Sequence, residues 1–189
     1  FFVLSGFVLY LPFQNKDKAP NYAPYLIKRI CRIYIPYLVA ILITFAAMYT
    51  FAASESDISE LSDWFNSFWH SGPTTSLMIE HLVLLGNVHS HDVNTVMWSL
   101  IHEMRISIIF PILALAVRQL NWKYSLLIAL AGSLIAGINT TTGFQLSNGY
   151  QTNYFVTLHY IGIFILGALI NKHKSGLVAF YQRRSAFIK

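Results

Sequence analysis

The sequence predicts an all-α protein, a polytopic transmembrane helix bundle with a short interfacial or re-entrant helical segment in a long outer loop. Three observations predict it. The chain is 55% hydrophobic and only 11% charged, against about 25% charged residues in an ordinary soluble domain, so it cannot cover a water-facing surface. Its apolar residues gather in runs long enough for membrane helices, not in the alternating strands of ~10 residues that build a closed barrel. The loops between those runs alternate in charge, basic then acidic or neutral, as the positive-inside rule requires of a multi-pass chain.

The first apolar segment covers residues 1–13 and opens directly on Phe1-Phe2-Val3-Leu4-Ser5-Gly6-Phe7, with no Met and no basic leader. It is shorter than the ~20 residues a span needs. The expectation is a fragment whose first helix has been cut, with residues 1–189 forming part of a larger membrane domain. The second segment, residues 33–53, carries no charge. Between the two lie Lys16, Lys18, Lys28, Arg29 and Arg32, which mark a cytoplasmic loop.

An outer loop follows over residues 54–95, with no Lys or Arg but with Glu55, Asp57, Glu60, Asp63, Glu80 and Asp92. Within it, Ile58, Leu61, Phe65, Phe68 and Trp69 recur at helical spacing after a possible N-cap at Ser56. The run Leu77 to Leu85 is apolar but too short to cross, so it is expected to be re-entrant or packed against the bundle. The third segment covers residues 96–117 and the fourth residues 124–138, extending toward Thr142. Arg118 and Lys123 between them fall on the cytoplasmic side. The fifth, residues 154–170, follows an uncharged loop and precedes Lys172, Lys174, Arg183 and Arg184. No terminal element is evident after it.

Composition also bounds function. The net charge of +5 sits in short loops beside apolar runs, which is membrane topology and not a nucleic-acid surface. Cys31 is the single cysteine, so no intrachain disulfide forms, and no Cys/His spacing resembles a zinc site.

The chemistry is expected in the third segment. Glu103 and Arg105 lie inside an otherwise apolar run, and a charge in hydrocarbon costs at least ~2.5–3.5 kcal/mol unless a partner or a watery cavity meets it. Ser99, Glu103 and Ser107 share one helical face, and Trp98, His102 and Arg105 a neighbouring one. Glu103 and Arg105, two residues apart, do not face each other, so each is expected to meet a group on another helix or to line a cavity. Pro111 lacks the N–H that would bond the Ser107 carbonyl, so a kink is expected there. A purely structural ion pair is the plain alternative for these charges.

Arg29 and Arg32 form a second constellation, one turn apart at the expected start of the second helix. A helix N-terminus attracts anions, and two arginines there suit a phosphate group. The plain alternative is ordinary positive-inside charge. Of the histidines, His70, His81, His89, His91 and His159 are individually poor candidates for proton transfer, and His102, beside Glu103, is the best.

Three stretches in order, Phe1-Phe2-Val3-Leu4-Ser5-Gly6-Phe7, Lys28-Arg29-Ile30-Cys31-Arg32-Ile33-Tyr34-Ile35-Pro36 and Trp98-Ser99-Leu100-Ile101-His102-Glu103, resemble the membrane-bound acyltransferase-3 family. The resemblance implies a membrane-bound O-acyltransferase that moves an acyl group, commonly acetyl, from acyl-CoA to a hydroxyl of a cell-envelope or exported carbohydrate. It implies acyl-CoA as donor substrate with no bound cofactor, a lipid bilayer as setting, and the bacterial inner membrane as location. It implies Glu103, with Arg105 and His102, as catalytic candidates and Arg29 and Arg32 as contacts to the donor phosphates. The family's catalytic histidine precedes the Phe1–Phe7 motif, and Glu103 would orient it. Where the family often has a tyrosine four residues after the glutamate, this chain has Ser107. The rival expectation is a transporter or channel subunit that uses the intramembrane Glu and Arg.

Overall fold

A computed structural model describes residues 1–14, 20–51 and 73–186. Every regular element among them is helical. Helix α1 (Phe2–Tyr10) passes into a 3-10 turn at Leu11–Phe13. Helix α2 (Tyr22–Phe51) is followed, past the undescribed stretch, by α3 (Thr75–Leu82) and the single turn α4 (Ser90–Val93). Then come α5 (Trp98–Gln119), α6 (Trp122–Thr142), α7 (Tyr154–Lys172) and α8 (Lys174–Ala186). The helix expected between Ser56 and Trp69 lies outside the described residues.

Among the described residues, four helical stretches are long and apolar enough to cross a membrane: Tyr22–Thr50, Thr95–Gln119, Trp122–Thr142 and Tyr154–Lys172. Their outward apolar side chains, such as Ile43 on α2 and Leu134 on α6, are exposed, as a lipid-facing surface requires and a water-facing one does not.

The second helix departs from expectation. It begins at Tyr22, not near Ile33, so Lys28, Arg29 and Arg32 lie within it and not in a connecting loop. The basic side chains interrupt the apolar run, but they do not interrupt the backbone hydrogen bonding, and Arg is itself a good helix former. Its first turn is held by α5. Pro111 leaves the Ser107 carbonyl without an intrahelical donor. The Tyr25 hydroxyl donates to that carbonyl at 3.0 Å, and the Tyr22 hydroxyl donates to the Ile108 carbonyl at 3.2 Å. Helix α5 therefore runs through Pro111 as one element with its freed carbonyl satisfied.

Helix α3 starts at an N-cap, where the Thr74 hydroxyl accepts from the Leu77 N–H at 3.2 Å. It packs against α2: the Tyr37 hydroxyl donates to the His81 carbonyl at 2.5 Å and the Tyr34 hydroxyl to the Leu82 carbonyl at 2.9 Å. His81 is buried, with Nδ1 2.8 Å from the Leu77 carbonyl, and burial pushes its pKa below the ordinary value, so it is a neutral structural residue. Helices α1 and α6 both pack closely on α7 through glycine. A Cβ at Gly162 would lie 2.7 Å from the Ala129 carbonyl oxygen, and one at Gly6 would collide with the backbone of Phe164. Small residues of this kind let membrane helices approach backbone to backbone.

Each end of the bundle is tied. At one end Lys172 Nζ donates to the carbonyls of Val117 at 2.6 Å and Leu120 at 2.9 Å, capping the C-terminus of α5 with a cation. At the other end the segment around Asn87 bonds to the loop before α7, with Asn148 Nδ2 donating to the Asn87 carbonyl at 2.7 Å. Helix α8 was not evident in the sequence. Most of its side chains are exposed and it has no apolar face to announce it.

Candidate active site

Glu103 occupies the second turn of α5, about 7.5 Å along the axis from Trp98 and about 24 Å from Gln119 at 1.5 Å per residue. It is buried, 7% exposed, and so is Arg29, also 7% exposed. The two come together across the α2–α5 contact, with Arg29 Nη1 3.8 Å from Glu103 Oε1. That separation is Coulombic contact without a direct hydrogen bond. The carboxylate is thus charge-balanced but keeps lone pairs for another donor, and the Ser5 hydroxyl of α1 reaches it.

These groups share a cleft of about 410 Å³ between α1, α2 and α5, which Ser5, Arg29, Arg32, Pro36 and Glu103 help to line. The rest of the wall is largely apolar, including Leu4, Val8 and Leu100. Arg32 is exposed and has no ion-pair partner among the described residues. All three stretches singled out in the sequence therefore contribute a polar side chain to one intramembrane cleft.

One expectation about the arginines needs correction. Arg29 and Arg32 lie beyond the first turn of α2, so the N-terminal N–H groups of that helix do not stand behind them. Arg105 turns away from Glu103. Its guanidinium turns to the loops after α3 and before α7, where Nε donates to the Leu85 carbonyl at 3.0 Å and Nη2 to the Gly86 and Thr152 carbonyls at 2.6 and 2.9 Å. Nη1 donates to the Thr157 hydroxyl at 2.8 Å, and the guanidinium stacks 4.2 Å over the Tyr154 ring. A planar fork of five donors suits this bridging of two loops. With its donors so occupied, none of them points into the cleft.

His102 is likewise committed. Its Nε2 lies 2.7 Å from the Gln151 carbonyl, which can only accept, so Nε2 carries the proton. Nδ1 then accepts from the Thr157 hydroxyl at 3.0 Å. Arg105, Thr157, His102 and Gln151 form one continuous chain of hydrogen bonds, with the imidazole neutral and fully buried. Ring contacts to Trp98 and Tyr160 complete its surroundings. His102 does not line the Glu103 cleft. Sequence reasoning missed Ser5 as a polar group of the site, although it lies inside the Phe1–Phe7 motif. It also missed the two tyrosines that anchor α2, whose signal was Pro111 itself.

The fold and the site define a multi-pass integral membrane protein with charged groups gathered on one intramembrane cleft. The family described as acyltransferase domain matches residues 1–188, and the chain belongs to this acyltransferase-3 family. It is an acyltransferase domain, which decides for an enzyme over a transporter or channel subunit. No curated protein and no solved structure matches the chain.

Proposed function

We propose that this domain moves an acyl group, acetyl in the first instance, from acyl-CoA to a hydroxyl of a cell-envelope or exported carbohydrate, in a bacterial inner membrane. The observation that carries the reading is the convergence of Arg29, Arg32, Glu103 and Ser5 on the single cleft of about 410 Å³. In acyl transfer the acceptor hydroxyl attacks the thioester carbonyl, its proton passes to a base, an oxyanion develops, and the thiolate of CoA leaves. An exposed guanidinium at the cleft, Arg32, supplies charge for the anionic donor or the oxyanion. Arg29, 3.8 Å away, faces Glu103 across the cleft wall. Glu103 orients and charge-stabilises the basic group, as a buried carboxylate does for an imidazole in a triad. The resemblance assigns that base to a histidine ahead of the Phe1–Phe7 motif, and none of the described histidines lines the cleft.

The test uses the full-length protein with labelled acetyl-CoA, scoring CoA release and transfer of label to carbohydrate. Arg32→Ala should raise the KM for acyl-CoA on the order of tenfold or more, since charge-assisted hydrogen bonds contribute about 1.5–3 kcal/mol each. An unchanged donor KM would remove Arg32 from donor binding.

A further inference from the structure

A second pocket lies between the outer ends of α6 and α7, with a volume of about 550 Å³, within the range of small-molecule sites. Its polar wall is built of amides and hydroxyls, among them Ser133, Asn139, Thr140 and Gln151, with His159 and Tyr160 beside them. None of the described residues that line it is Asp, Glu, Lys or Arg. An anionic ligand entering it would lose hydration and meet no countercharge. A wall of neutral amides and hydroxyls instead suits a ligand made of hydroxyls, which would share groups that already bond within the wall, as Asn139 does with Gln145 and Thr140 with the Ala136 carbonyl.

His159 sharpens the match. Ser133 Oγ lies 3.2 Å from the Ala129 carbonyl oxygen and 3.0 Å from His159 Nδ1, so Nδ1 has a partner in either tautomer. No hydrogen bond occupies Nε2 among the described residues. Tyr160 also lines the pocket, its hydroxyl donating to Gln151 Oε1 at 2.9 Å. The same ring packs 4.2 Å from the ring of Phe2, whose neighbour Phe1 lines the Glu103 cleft. A run of three rings, Tyr160, Phe2 and Phe1, thus lies between the neutral pocket and the arginine-bearing cleft.

We propose that this α6–α7 pocket binds a neutral, hydroxyl-rich ligand, the carbohydrate acceptor, with His159 Nε2 hydrogen-bonded to a sugar hydroxyl. The assignment of the ligand as acceptor rests on the acyltransferase reading above; the affinity for neutral sugar does not. The test places a reporter on the wall in the full-length protein, Thr140→Cys in a Cys31→Ser background, held in nanodiscs free of sugar detergents. Maleimide labelling of the reporter is timed with maltose, cellobiose or chitobiose, and with digalacturonate at the same concentration. At least one neutral disaccharide should slow labelling several-fold, and digalacturonate should not. Adding His159→Leu should abolish protection, and His159→Gln, which keeps an acceptor, should restore part of it. Equal rates with every neutral sugar, or equal protection by digalacturonate, would overturn the proposal. If His159→Leu does not fold, the wild-type His159 protection pattern and the Gln variant still decide. CoA release is measured on the same preparation. Transfer of label to carbohydrate without protection would sink the pocket and spare the acyltransferase reading. Protection without transfer to any carbohydrate would do the reverse.

Discussion

At the scale of single residues, the informative contrast is between two buried arginines. Arg29 faces a carboxylate at 3.8 Å beside a cleft, whereas Arg105 is wrapped by carbonyls and a hydroxyl. Removing one member of a buried pair leaves the other charge uncompensated, at a cost of about 3–5 kcal/mol. Glu103→Gln and Arg29→Gln should therefore each lower thermal stability as well as activity. The double variant, with both charges gone, should recover stability. If Glu103 serves the reaction, the double variant stays inactive; a stable and active double variant would show that the pair only holds α2 against α5. Arg105→Lys should behave differently. A lysine ammonium has three donors and no planar fork, so contacts worth about 1.5–3 kcal/mol each are lost. The melting temperature should fall clearly, while turnover per folded molecule should change little. A large loss of turnover with an unchanged melting temperature would place Arg105 in the chemistry after all. The sequence makes it plain that Glu103 and Arg105 need partners, because bare charges in hydrocarbon are costly. It cannot say which partners, since those lie on α2, on α7 and on two loops elsewhere in the chain.

Among the elements, hydropathy marks where a helix is greasy, not where its hydrogen bonds begin. That is why the expected second segment starts at Ile33 while α2 starts at Tyr22. The missing turns carry Lys28, Arg29 and Arg32, and their place in a helix depends on contacts with Ser107, Ile108 and Glu103 of α5. By contrast α6 and α7, with apolar interiors and polar caps, lie close to their expected ranges. Asn121 and Asn153 cap their N-termini, accepting from the N–H groups of Lys123 and Val156, and Gly143 closes α6 at φ 66°. Packing between these elements is set by glycines. Gly162→Val should force its side chain into the Ala129 carbonyl, and overpacking of this kind costs about 1–3 kcal/mol. Thermal unfolding of the purified variant should show the loss. Gly137→Val, where a Cβ would meet nothing within 4 Å, serves as the control and should unfold at nearly the parent temperature.

For the whole molecule, the question is which end faces the cytoplasm. Lys28, Arg29 and Arg32 lie within α2 and not in a connecting loop, and Cys31 sits between the two arginines on the same helix. The remaining charges still divide by end. Arg118, Lys123, Lys172 and Lys174 cluster where α5, α6 and α7 meet, tied by the Lys172 bonds to the α5 carbonyls. Glu80 and Asp92 belong to the opposite end, where Glu80 pairs with His89 at 2.9 Å. Basic residues within a short distance of span ends set orientation, and acidic ones contribute little. The end with Lys172 should therefore be cytoplasmic. In a Cys31→Ser background of the full-length protein, Phe144→Cys probes the other end, because Phe144 is 83% exposed in the loop before α7. Lys174→Cys probes the Lys172 end, where the side chain is exposed as well. A membrane-impermeant maleimide added to intact cells should label Phe144→Cys and spare Lys174→Cys, and both should react once the membrane is opened. The reverse pattern in intact cells would invert the bundle. It would also place the α6–α7 pocket at the cytoplasmic end, where its neutral wall would have to meet a carbohydrate before export.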